Sequence, residues 1–279
     1  MNNLILAAFA DEYDPDLEKQ LEGLKSFGIE YLEIRFVNGK NISALDDTEL
    51  KNVKALLKQY GIKINSIGSP LGKIRLDEDT EAHMRLTERV CKIANELGAR
   101  YVRMFSFYPP KGEKIAVHRE KVISLLEKML DIADSYGVTL CHENEANIYG
   151  ESPEACLDLM RHFNGRLKAV FDMGNFALGG YEPLKAYTML SDYVEYFHIK
   201  DGSANGDIVP PGKGDAKIPE ILADFSKGDK ETFVTLEPHL KTFSGLGSLT
   251  EEKLTHKYVY ETQQAAFTDA VIRLKEIIE

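Results

Sequence analysis

Along the chain the spacing of apolar residues switches repeatedly between the period of two expected of strands and the 3.6 of helices. An apolar run, Leu4 to Ala10, is followed after Pro15 by Leu17, Leu21 and Leu24 at helical spacing before Gly28, which predicts a first strand and a first helix. Tyr31 to Val37 then alternates strictly, with Leu32, Ile34 and Phe36 on one side and Tyr31, Glu33 and Arg35 on the other. If the apolar side meets helices, Glu33 and Arg35 point inward, where buried charges must pair with each other or meet a ligand. The same unit recurs. A helix over DDTELKNVKALLKQYG with an Asp or Thr cap stops at Gly61 and leads to the strand Ile62 to Pro70. A long amphipathic helix ending at Gly98 precedes a strand from Tyr101 to Pro110, in which Arg103 shares the parity of Tyr101 and Phe105.

The second half repeats the pattern. A helix from about Ile115 to Tyr136 gives way to VTLCHE. A helix opened by Pro153 runs to Phe163 and precedes a strand from Leu167 to Asn175. EPLKAYTMLSDY reads as a helix before the strand Val194 to Gly202, SANGDIVPPGKGDAK as a loop, and IPEILADFS as a short helix before the strand Thr232 to Leu240. A closing helical stretch carries Tyr258, Tyr260 and Phe267, with Val271, Leu274 and Ile278 on one face. Eight strands alternating with eight helices predict an α/β fold, a single (β/α)8 barrel domain over residues 1–279, with reactive groups at the C-terminal ends of its strands.

The last four strands each end on a residue type that binds metals: Glu143, Asp172, His198 and Glu237. The intervals 143–172, 172–198 and 198–237 are 29, 26 and 39 residues, each close to one strand-plus-helix unit. Parity puts Glu143 with Cys141, Asp172 with Val170, His198 with Tyr196 and Glu237 with Thr235. Three carboxylates on apolar strands would shift their pKa values and neutralise unless they share a cation, and a divalent metal is the simplest one.

Charge and cysteine usage narrow the partners. A net charge of −11 and a pI near 5.2 disfavour nucleic acid, whose binding depends on clustered Lys and Arg. Cys91, Cys141 and Cys156 are odd in number and form no C-x-x-C pair, so neither a disulfide framework nor a structural zinc site is indicated and a reducing cytoplasm is expected. LILAAFA lacks a basic flank and runs into Asp11 and Glu12, which reads as a strand rather than a signal peptide. No apolar run approaches the ~20 residues that span a bilayer, so no membrane partner is expected.

HENE, FDMGN, YFHIKDG and TLEPH, in this order at four strand ends, resemble the sugar phosphate isomerase/epimerase family. These are the xylose isomerase-like TIM barrels, which also include inosose dehydratases, ketose 3-epimerases, hydroxypyruvate isomerases and endonuclease IV. Each motif alone is weak; the four in order cover nearly the whole chain and specify the superfamily without choosing a substrate. The resemblance implies that Glu143, Asp172, His198 and Glu237 bind one divalent ion. Carboxylate-rich ligation favours manganese, with magnesium, cobalt, zinc or iron as alternatives. It further implies that Glu143 and Glu237 serve as base and acid in proton transfer next to the carbonyl of a small sugar, ketose or sugar-like polyol. The competing expectations are a lyase, either inosose dehydratase-like or C-glycoside-cleaving, and a non-catalytic metal- and sugar-binding barrel.

Two departures from the family bear on substrate binding. Asn175 stands where many ketose epimerases have the histidine of D-x-x-H, and can hydrogen-bond a hydroxyl without titrating. An arginine that several relatives carry after the strand-seven histidine is missing, leaving Lys200 or Lys213 to supply positive charge. Endonuclease IV builds a three-zinc cluster with histidines from early strands, and the first three strands here have none. Further substrate-contact candidates are Glu33, Arg35, Arg103, Glu145 and His239; Glu145 could equally pair with Lys200, and His239 could cap its loop. His142, of opposite parity to Glu143, is expected to pack toward the helices. His83 and His118, on helical stretches, are expected to be solvated. Tyr258 and Tyr260 are read as covering the mouth or a subunit interface, the latter consistent with a homodimer.

Overall fold

Eight parallel strands close into a barrel in this structure, a computed structural model that describes residues 1–203, 205–243, 245, 247 and 255–279. They are β1 (Leu4–Ala8), β2 (Tyr31–Ile34), β3 (Lys63–Gly68), β4 (Tyr101–Met104), β5 (Thr139–Glu143), β6 (Lys168–Asp172), β7 (Val194–Ile199) and β8 (Thr232–Leu236). Neighbours in sequence pair in order, and β8 closes on β1 with Leu4 opposite Thr232 and Ala8 opposite Leu236. Around them lie α1 (Leu17–Ser26), α2 (Asp47–Tyr60), α3 (Thr80–Leu97), α4 (Arg119–Tyr136), α5 (Pro153–Phe163), α6 (Met173–Leu178), α7 (Pro183–Leu190), α8 (Ile218–Phe225) and α9 (Gln263–Ile278).

The helices start where a side chain satisfies the orphan amides of the first turn. Asp46 and Glu49 form a reciprocal capping box on α2, while Asp79 caps α3 and Ser152 caps α5 ahead of Pro153. The main core lies between strands and helices, where Val102, Met104 and Leu140 meet Val90, Ile93, Leu126 and Met129. Inside the barrel, Tyr101, Cys141, Val170 and Tyr196 form a small apolar plug with Phe233. Above it the interior turns polar: the Tyr196 hydroxyl donates to Glu33 at 3.0 Å and lies 2.9 Å from Ser66 Oγ. The plug supports the charged layer at the C-terminal rim.

Several elements end earlier than the apolar pattern suggests. Tyr31 to Val37 is not one strand: β2 stops at Ile34, and Phe36–Val37 pairs antiparallel with Lys40–Asn41. This frees Arg35 from the strand's alternation. The sixth strand stops at Asp172 because that carboxylate accepts the Asn175 amide at 2.7 Å and starts α6. The expected loop after β7 contains a strand, Asp207–Val209, between Asp201–Gly202 and Thr255–His256. Tyr258 and Tyr260 precede the last helix, whose cap is Thr262. Tyr260 is half-buried, and its hydroxyl donates to Asp269. Part of the loop after β8 lies outside the described residues. His83 is buried rather than solvated, and its Nε2 accepts the Gly72 amide at 2.8 Å. His118 is partly exposed and lies 2.7 Å from Glu113.

Candidate metal centre

Glu143, Asp172, His198 and Glu237 are all buried at the C-terminal rim, each offering a donor atom within 4.8 Å of the others. Glu143, Asp172 and His198 lie on their strands, while Glu237 is the first residue beyond β8, its amide donating to the Ile199 carbonyl at 3.0 Å. Register aligns them: Asp172 stands opposite His198, and His198 opposite Thr235, two residues before Glu237. Gly174 is required beside them, because a Cβ there would meet the Lys200 carbonyl oxygen at 2.4 Å. Without it α6 could not lie against the end of β7.

The donor set fits a divalent ion on the evidence of its own unsatisfied atoms. Asp172 Oδ2, His198 Nδ1 and Glu237 Oε2 are buried without a hydrogen-bond partner among the described residues, which folded proteins rarely tolerate unless an ion or water completes the site. His198 is oriented for the task. Its Nε2 lies 3.1 Å from Glu33 Oε2, leaving Nδ1 facing Glu143 Oε1 at 3.1 Å and Glu237 Oε2 at 3.5 Å. A carboxylate behind a histidine fixes the tautomer and makes the free nitrogen a better donor.

Buried cations balance the carboxylates. Arg35 donates to Glu237 at 2.6 Å, to both oxygens of Asp11 at 2.8 and 3.1 Å, and to Glu12 at 3.2 Å. Arg103 Nε lies 3.2 Å from Glu143, and Lys200 Nζ lies 3.2 Å from Asp172 and 3.9 Å from Glu237. Burial alone would push Glu143 up, but His198 and Arg103 hold it down at about 2. Burial is likewise overruled at Glu237, where Lys200, His239 and Arg35 keep the carboxyl well below its usual range. At Asp172 burial wins against Lys200 and raises the carboxyl to about 7. Burial opposes charge on His198, yet Glu33 and Glu143 raise it to about 10.

Over the centre opens a cavity of about 190 Å³, lined by Arg103, Glu143, Asn175, Lys200, Glu237 and His239, with Lys73, Glu145 and Glu151 farther out and Phe105, Leu178 and Ile208 as apolar wall. This is below the ~300–1,000 Å³ of drug-sized sites and suits a small ligand. Of the residues singled out from the sequence as substrate contacts, Arg103, Glu145, Asn175, Lys200 and His239 meet at this wall. Three do not. Glu33 and Arg35 are fully buried beneath it and do not pair with each other, because Glu33 faces His198 and Tyr196 while the break after Ile34 turns Arg35 toward Asp11 and Glu237. Lys213 is exposed. It sits on a loop that is tied down by Asp201, whose carboxylate accepts the amides of Gly202, Gly214 and Ala216 at 2.9 to 3.1 Å. Those amides are therefore taken by an internal anion.

Glu145 pairs with Lys73 at 3.2 Å rather than with Lys200. His142 packs outward, 2.9 Å from Ser106 Oγ. Asn175 donates to the Asn144 carbonyl at 2.9 Å and approaches Glu143 at 3.4 Å. Sequence reasoning passed over Asp11, Glu12 and Asn144. The first two sit on a buried 3-10 turn after β1, and the acidic pair directly following LILAAFA was the available signal. Asn144 makes two hydrogen bonds to the Asp172 backbone, at 2.9 and 3.0 Å, and so sets the spacing of the two carboxylate-bearing strand ends.

Residues 21–256 match the sequence profile of the xylose isomerase-like TIM barrel family. Among curated protein sequences, none matches this chain. Solved structures resemble it over nearly its full length. A D-allulose 3-epimerase from Methylomonas sp. shares 16% identity at a TM-score of 0.76, covering 99% of this chain and 98% of the other. The probable 3-DHS dehydratase AsbF from Bacillus anthracis shares 15% at 0.73, covering 97% and 98%. A xylose isomerase-like TIM barrel protein from Mycobacterium smegmatis, in complex with magnesium, shares 16% at 0.71, covering 98% and 96%. At such identities the structural likeness is one of fold. The profile match over most of the chain carries the membership.

Proposed function

We propose that this chain, which belongs to the xylose isomerase-like TIM barrel family, is a metal-dependent isomerase or epimerase of a small sugar, ketose or sugar-like polyol. The observation that carries the reading is the convergence of Glu143, Asp172, His198 and Glu237 on one buried point, with three donor atoms that have no hydrogen bond among the described residues. Glu143, Asp172, His198 Nδ1 and Glu237 would hold one divalent ion, manganese by the hardness of the set. When bound, such an ion polarises a carbonyl and its neighbouring hydroxyl and acidifies the adjacent C–H.

The remaining steps fall to this chain's side chains. Glu143, kept ionised by Arg103, accepts the proton from carbon to give an enediolate, and Glu237 exchanges the second proton, so that removal and return use different carboxylates. Asn175, Lys200 and His239 offer donors to substrate hydroxyls. Phe105, Leu178 and Ile208 form a dry wall that strengthens these contacts. The partner is a small molecule, with no part for nucleic acid or membrane. The whole chain acts as one domain, placed in the cytoplasm and pairing as a homodimer.

A lyase is the second reading. Epimerase and dehydratase structures share the fold, and Asn175 replaces the histidine of many ketose epimerases, removing a titratable group from the wall. Manganese-loaded protein in heavy water, offered ketoses, hydroxypyruvate and inososes, should wash deuterium into carbon and yield an isomer. Exchange followed by loss of water or an aglycone would identify a lyase. Absence of exchange, with sugar affinity unaltered in Glu143→Gln and Glu237→Gln, would favour a non-catalytic binding barrel.

A further inference from the structure

Beside the first group of donors stands a second: Glu12, Glu237 and His239 offer atoms within 4.8 Å of one another. His239 Nε2 lies 3.4 Å from Glu12 Oε1 and 3.4 Å from Glu237 Oε1, and has no hydrogen-bond partner among the described residues although its side chain is only 8% exposed. The backbone aims it there. His239 takes a positive φ of 49°, its amide donates to Glu12 at 2.7 Å, its carbonyl accepts from His256 at 2.8 Å, and its ring stacks on Phe243. Two carboxylates and an imidazole suit a divalent ion. Glu237 belongs to both groups, with Oε2 toward one and Oε1 toward the other, the arrangement of a carboxylate that bridges two ions ~3.5–4 Å apart.

Arg35 already occupies that position. Its Nη1 takes Glu237 Oε1 at 2.6 Å and its Nη2 takes Glu12 Oε1 at 3.2 Å, the two oxygens a second ion would need. Asp11 grips the other edge of the guanidinium, and the rings of Phe9 and Phe243 lie 4.2 and 5.0 Å from it. Unlike a lysine, a guanidinium cannot yield its place by losing a proton.

We propose that Arg35 is a built-in cation standing where the chain would otherwise take a second metal ion, and that it fixes the centre at one ion. The proposal rests on the metal-dependent reading above. It also leaves His239 Nε2 uncoordinated between Glu12 and Glu237. The test is manganese titration of the full chain by calorimetry and electron paramagnetic resonance. Wild type should take one ion and, in excess manganese, show an uncoupled six-line spectrum from the bound ion. Arg35→Met should take two and show a spin-coupled pair, and Arg35→Met/His239→Ala should return to one. A coupled pair in wild type would overturn the proposal, without needing any variant to fold. So would a folded Arg35→Met chain that still takes one. A wild-type chain that takes none would remove the metal-dependent reading itself, and this proposal with it.

Discussion

Replacing Glu33 by glutamine isolates one buried charge behind the metal centre. Glu33 is fully buried, accepts from the Tyr196 hydroxyl at 3.0 Å and lies 3.1 Å from His198 Nε2. Glutamine can keep the count of hydrogen bonds: its oxygen accepts from His198, and its amide donates to Tyr196, which in turn donates to Ser66. What disappears is the negative charge. Across the imidazole ring that charge stands ~7 Å from an ion on Nδ1, where at an effective dielectric of ~20 it is worth ~5 kcal/mol to a dication and about half that to a proton. The ion must displace the proton that Glu33 and Glu143 help to hold on His198, so the net loss is about 2 kcal/mol, or ~30-fold in affinity. That falls within the ~10–100-fold typical of such supporting groups. Calorimetric titration with manganese at neutral pH measures it, with metal-free thermal melting as the control for folding. Affinity within about twofold of wild type would refute the assignment of Nδ1 as the donor and of Glu33 as its support.

Other perturbations have defined outcomes. Burial lowers His83 from 6.5 to about 4, so its contribution to stability is complete above pH 6.5 and is lost as the pH falls through 4, up to ~3 kcal/mol. His83→Leu should flatten urea-midpoint curves across that window, at the cost of an unpaired Gly72 amide; an unchanged slope would contradict this. Asp201→Ala strands three backbone amides and should cost at least ~2 kcal/mol in urea melts, whereas a neutral result would mean that the Gly214 loop holds itself. Lys200→Met breaks a buried pair and should destabilise the metal-free protein by ~3–5 kcal/mol, with manganese restoring most of it. Equal losses in melting temperature with and without manganese would show that Lys200 serves packing rather than charge.

The barrel and its rim could be read from the chain because alternation, helix stops and unit length report directly on local geometry. Parity placed Glu143, Asp172, His198 and Glu237 inward, and they converge. The misplacements share a cause: each depends on a side chain bonding to backbone, or to groups far along the chain, where periodicity says nothing. Asp172 ends its own strand by capping α6, Asp201 folds the Gly214 loop around itself, and the break after Ile34 swings Arg35 away from Glu33. His83 sits on a helix that reads as amphipathic, yet the amide it accepts comes from a loop eleven residues earlier. Asp11 and Glu12 looked like the polar end of a strand because their partner, Arg35, lies 24 and 23 residues away.

The most direct test of the account is anomalous diffraction at the manganese edge from crystals of the metal-loaded protein. One peak is expected, within about 2.3 Å of Glu143, Asp172, His198 Nδ1 and Glu237. A peak on other residues, or no peak at full soaking, would contradict it.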